Sequence, residues 1–122
     1  MGLLTDFFLA PSEDVAGKPG SEVEPWKFKR RLEGKGCDTP QVEALAKIVG
    51  VELDLVPSEE DGAQWLFALP PEFVKALAKL DDKKRKKVSS RWEGSSDFFE
   101  KLCDLARESE DSRTPMWFWM SL

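Results

Sequence analysis

The sequence predicts an α+β fold, a small and mainly antiparallel sheet of about four strands covered by three to four helices. Three observations carry this expectation. Stretches with the two-residue apolar period of a strand and stretches with the helical period are mostly segregated along the chain. The middle of the chain, Ala63 to Leu80, begins with an uncharged aromatic and aliphatic run. It breaks at Pro70-Pro71 and continues as an amphipathic helix, so a buried strand feeding a helix is the expected nucleus. The chain closes on a second apolar run, Met116-Trp117-Phe118-Trp119-Met120. With 122 residues, about one core's worth of chain, residues 1–122 are expected to form a single domain.

Taken in order, Leu3 to Ala10 is a short apolar run ended by Pro11, read as a strand or a buried N-terminal segment. Residues 12–25 are rich in Ser, Gly, Pro and acid and read as a loop, with room for one helical turn after Ser12. From Trp26 to Glu33, Trp26, Phe28, Arg30 and Leu32 alternate with Lys27, Lys29, Arg31 and Glu33, which predicts a strand with one wet, basic face. Gly34-Lys35-Gly36 breaks it. The first long helix has a clear start: Asp38 or Thr39 as cap, Pro40 in the first turn, and Gln41 three residues after Asp38 as in a capping box. Val42, Leu45, Ala46 and Val49 form its apolar stripe, and Gly50 is a fitting stop.

Val51 to Leu55 alternates but is short, and both a strand and a helical turn into the loop of residues 57–62 remain open there. Ala63 to Leu69 is apolar on both faces, as expected of a central strand covered on both sides. Pro71 suits the first position of a helix carrying Phe73, Val74, Leu77, Ala78 and Leu80. Asp81 or Asp82 caps a further short helix with Val88 and Trp92 paired at i, i+4, and Gly94 ends it. Ser95 or Ser96 caps the last helix, with Phe98, Phe99, Leu102, Leu105 and Ala106 inward.

Composition excludes several kinds of chemistry. Histidine is absent, which removes imidazole acid–base steps, His-dependent triads and His-liganded zinc. Tyrosine is absent as well, leaving carboxylates, Lys and Cys to move protons. The two cysteines make no disulfide framework and fit a reducing cytosol. Met1 to Ala10 lacks a basic leader and carries Asp6 inside its apolar run, so neither a signal peptide nor the myristoylation pattern is expected. No run of about 18 apolar residues predicts a membrane span, and the expected location is cytoplasmic. A net charge of −5 argues against general nucleic-acid binding. Glu52, Asp54, Glu59, Glu60 and Asp61 form an acidic block, and Lys83, Lys84, Arg85, Lys86 and Lys87 a basic one.

Each candidate site has a plainer alternative. Trp117 and Trp119 project to one side of their strand, either into the core or lining a groove for a partner. Cys37 precedes a helix start, with Lys35 nearby, where a thiol pKa is lowered. With no His to serve as base it reads as structural, and Cys103, beside Leu102, as core. The acidic loop Glu59-Glu60-Asp61-Gly62 lacks the alternating ligands of a calcium loop, and Asp61-Gly62 reads as a turn. Five consecutive charges from Lys83 to Lys87 go around a helix and read as a solvated face, with Lys27, Lys29 and Arg31 able to extend a basic patch. Trp92, Glu93 and Asp97 form a polar–aromatic cluster at an element junction that could shape a small pocket.

The opening MGLLTDFF, the helix entry GKGCDTP, the segment WEGSSDFF and the closing MWFWMSL resemble those of a group of small uncharacterised bacterial proteins. In that group residues 12–25 correspond to a longer stretch, and an aliphatic residue is usual at position 37. The resemblance implies a compact cytosolic bacterial domain, favours a helical turn over residues 51–55, and brings no catalytic residue with it. Function therefore rests on three expectations. The first is a non-enzymatic protein-interaction module, immunity- or antitoxin-like in one form, acting through the aromatic terminus or the charge blocks. The second is a small-ligand-binding or enzyme domain using Trp92, Glu93 and Asp97. The third is nucleic-acid binding through the basic run. No catalytic, cofactor-binding or metal-binding residue is assigned, and the chain is expected to be a monomer or weak homodimer.

Overall fold

A strand made almost wholly of large apolar residues is stable only if both its edges and both its faces are covered. Met116–Ser121 (β4) meets that demand in the computed structural model, which describes residues 3–34, 36–55 and 63–122. β4 runs antiparallel to Leu4–Leu9 (β1) on one side and to Gln64–Ala68 (β3) on the other. Arg31–Glu33 (β2) joins the outer side of β1, so the sheet order is β2-β1-β4-β3, antiparallel throughout. The helices are Ser12–Val15 (α1), Thr39–Ile48 (α2), Pro71–Ala78 (α3), Asp82–Arg91 (α4) and Ser96–Ser112 (α5). This is the α+β arrangement the sequence predicts.

Alternation along the strands divides the core in two. Phe7, Leu9, Met116 and Phe118 face the helices and meet Phe73 and Leu77 of α3, Val42 and Leu45 of α2, and Phe99 and Leu102 of α5. Phe8, Ala10, Trp117 and Trp119 face the other way, onto Val15, Val23 and Phe28. Residues 10–28 are therefore a second covering layer rather than a surface loop. Two indoles fasten it: Trp117 Nε1 donates to Ala10 O at 3.0 Å and Trp119 Nε1 to Gly20 O at 2.9 Å. Gly20 is required by close approach, because a Cβ there would lie 2.6 Å from the carbonyl carbon of Gln64.

The ends of the helices follow local sequence. Asp38 and Gln41 form the full capping box of α2, and Asp81 and Ser95 cap α4 and α5 through the backbone N–H of Lys84 and Phe98. α2 runs out into Gly50 at φ +85°, a conformation that costs glycine little.

Three expectations are corrected. Ala63 to Leu69 is not central, because β3 lies at the sheet edge and its side chains are half-buried. Of the strand expected over Trp26 to Glu33, only Arg31–Glu33 forms. Pro25 fixes φ and opens a 3-10 turn, Pro25–Lys27, so Trp26 turns outward to 55% exposure while Phe28 stacks on Phe8. Val51 to Leu55 is neither strand nor helix; the Leu55 N–H donates to the Glu43 carboxylate at 3.0 Å and its side chain is buried. Lys35, Val56 and the loop of residues 57–62, with the acidic run and the Asp61-Gly62 turn, lie outside the described residues. Among the described residues, no helix is long and apolar enough to cross a membrane.

Candidate functional site

α3 and α4 are neighbours in sequence, and their periodicity brings cations to a common groove. Lys75 of α3 and Lys79, which caps the end of that helix, stand at i, i+4 with Ala76 between them, and on α4, Lys84, Lys87 and Val88 stand at i, i+3, i+4. These two faces and the end of α2 enclose a groove of about 550 Å³. Its floor is apolar, from Ile48, Val49, Ala76, Leu80 and Val88, and its rim carries Lys75, Lys79, Lys84 and Lys87 against a single acid, Glu72. Ile48 falls between the core stripe of α2 and its wet side, and this half-exposed position is the one the groove uses.

The run Lys83 to Lys87 is thereby divided. Arg85 points inward at 3% exposure and donates to Glu100 (2.7 Å) and Asp104 (3.0 Å) of α5. Burial opposes its charge, but the two carboxylates outweigh burial and hold the guanidinium protonated. Lys83 and Lys86 face solvent, while Lys84 and Lys87 line the groove. The expected solvated face is corrected at Arg85, which locks α4 to α5 and so fixes where the lysines point.

Trp92 is buried and closes the far end of the same helix. Its Nε1 donates to Gln41 O at 2.8 Å, and its ring packs against Phe98 and Phe99. This bond pins the end of α4 to the first turn of α2. A second, smaller pocket of about 280 Å³, bordered by Pro40, Ala44, Ile48, Arg91, Trp92 and Glu93, shares Ile48 with the groove. Glu93 and Asp97 are exposed, and Asp97 pairs with Lys101 at 3.3 Å. The structure brings Trp92 and Glu93 to the border of this small pocket and leaves Asp97 outside it.

Trp117 and Trp119 are likewise core, 6% and 3% exposed, because their indoles are spent on fastening residues 10–28. The displayed tryptophan is Trp26, edge-on to Trp119 at 6.0 Å. Lys27 pairs with Glu24, and Arg31 with Asp6 (2.9 Å) and Glu33 (2.7 Å). Lys29 and Arg31 border a separate pocket together with Asp104 and Glu108, so they do not extend the basic rim of the groove.

Neither thiol is poised to react. Burial, with the Asp38 carboxylate adding to it, pushes Cys37 up to about 12, and burial also takes Cys103 to about 12. No group of three or more metal-binding side chains occurs among the described residues. Comparison with family models, curated proteins and solved structures returned no match. The groove's geometry and charge therefore stand alone as the guide to function.

Proposed function

We propose that this chain is a non-enzymatic protein-interaction module that takes an acidic, amphipathic segment of a partner protein into the groove between α2, α3 and α4. One observation carries the reading: an apolar floor ringed by four lysines and one glutamate. A rim of one sign selects the opposite charge, and a helix-walled apolar floor selects side chains spaced at i, i+3, i+4 and i+7. The buried, protonated thiols and the solvent-facing Glu93 and Asp97 support binding over catalysis. The reading includes a bacterial cytoplasmic setting, in keeping with two free cysteines, and an immunity- or antitoxin-like inhibitor is one form it takes.

The test is a fluorescence anisotropy titration with a synthetic helix carrying Leu at i, i+3, i+4 and i+7 and Glu elsewhere. A peptide of the same composition with its Leu residues scattered, and single-stranded DNA, serve as controls. The expected result is saturable binding of the amphipathic peptide that weakens several-fold as salt rises. Equal binding of the scattered peptide or the DNA, or no binding of any probe, contradicts the reading.

A further inference from the structure

We infer that the chain pairs with a second copy of itself through the outer edge of β3, joining two four-stranded sheets into one continuous sheet. The argument starts from register. Leu122 N–H donates to Ala63 O at 2.9 Å and Leu69 N–H to Met116 O at 3.2 Å. Residues 63, 65, 67 and 69 therefore turn their backbone groups toward β4, and Gln64, Leu66 and Ala68 turn theirs away from the sheet. Among the described residues, no backbone group bonds to those outward N–H and C=O groups.

The two edges of the sheet are built differently. β2 is three residues long and carries Arg31 and Glu33, the short and charged form that resists pairing. β3 has five residues, Gln-Trp-Leu-Phe-Ala, with neither charge nor proline. An uncharged edge is the form that invites a further strand. A second copy is the occupant that fits. Antiparallel pairing about a two-fold axis sets Leu66 opposite Leu66 and Gln64 opposite Ala68, each pair exchanging both N–H···O bonds. No like charges are brought together along the strand. The covering turn at Gly20 is held over the face of β3 and β4 that carries Trp119, where its carbonyl accepts the indole N–H.

Light scattering after size exclusion, across a concentration series, tests this on the full chain. The expected mass rises from the monomer's 13.8 kDa toward twice that value. Leu66→Pro removes an outward N–H, together with the packing of the Leu66 side chain on the Trp117 and Trp119 cluster, and spares the hydrogen bonds of the β3–β4 ladder, so it should return the mass to 13.8 kDa at every concentration. Leu66→Lys is the second variant, placing a charge on the edge, with circular dichroism confirming that each variant is folded. A wild-type chain that stays monomeric throughout overturns the inference, as does a dimer that survives both substitutions. A dimer dissolved by Lys84→Glu with Lys87→Glu instead would place the contact at the groove and also overturn it.

Discussion

Phe118→Ala is expected to cost about 3–5 kcal/mol, the largest stability loss of any single truncation in the sheet. Phe118 sits near the middle of β4, one of the two inner strands, and is fully buried. Its ring lies 4.8 Å from that of Phe7 on one neighbouring strand and 5.8 Å from that of Phe67 on the other. It also faces the cluster formed by α3 and α5, so its removal opens a cavity between the sheet and the helices. Native domains hold about 5–15 kcal/mol in total, and this variant should be close to unfolding at room temperature. Urea unfolding measures the effect as a lowered midpoint with an unchanged slope. Leu122→Ala, at the exposed end of the chain, should shift stability by no more than about 0.5 kcal/mol. A loss below about 1 kcal/mol at Phe118 would contradict the placement of β4 at the centre of the core.

Reversing charge in the groove should have the largest effect on binding. Lys84→Glu with Lys87→Glu changes the rim from four cations against one acid to two against three. Like charges set against each other across an interface cost several kcal/mol, so affinity for the acidic amphipathic peptide should fall at least about tenfold. Stability should change little, because both side chains are exposed. The matched control is Lys83→Glu with Lys86→Glu, which adds the same charge to the same helix away from the groove. Its expected loss is smaller and disappears at high salt, where exposed charges are screened. Equal losses from the two pairs would show attraction to the charge of the whole helix rather than to the groove.

How much of this was legible in the sequence depended on whether the cause was local. The capping box at Asp38 and Gln41, the caps at Asp81 and Ser95, and the helical stripes were readable because they depend on residues a few positions apart. The four-stranded antiparallel sheet was legible from the segregation of periods. The rank of the strands was not. The runs in β3 and β4 are both apolar on two faces, but a strand's pattern reports its faces and says nothing of its edges. Pairing placed the two chain ends, β1 and β4, in the centre and left β3 outside. Trp26 and Phe28 share an alternation that looks like a strand, yet Pro25 makes it a turn and sends the two rings to different places.

The candidate site was half legible for the same reason. Lys84 and Lys87 belong to a basic run that stands out in the sequence, and Trp92 to a polar–aromatic junction that does the same. Lys75, Lys79, Ile48 and Val49 were missed as site residues. Their only local signal was the i, i+4 spacing of two lysines on α3 and an apolar residue at the margin of the α2 stripe. Their convergence depends on how α4 is clamped, through the ion pairs of Arg85 with α5 and the bond from Trp92 to Gln41. The surplus of tryptophan left both a core strand and a displayed one open. The core reading holds at Trp117 and Trp119, and three of the five indoles brace the fold at chain junctions: Trp92 against α2, and Trp117 and Trp119 against residues 10–28.

The most direct test of the central claim is amide chemical-shift mapping while the acidic amphipathic peptide is titrated into the labelled protein. The account predicts that the shifting amides cluster at Ile48, Val49, Ala76, Leu80 and Val88, with those of Trp117 and Trp119 unmoved. Shifts centred on Trp26, Trp117 and Trp119, with the groove silent, would contradict it and move the binding face to the other side of the sheet.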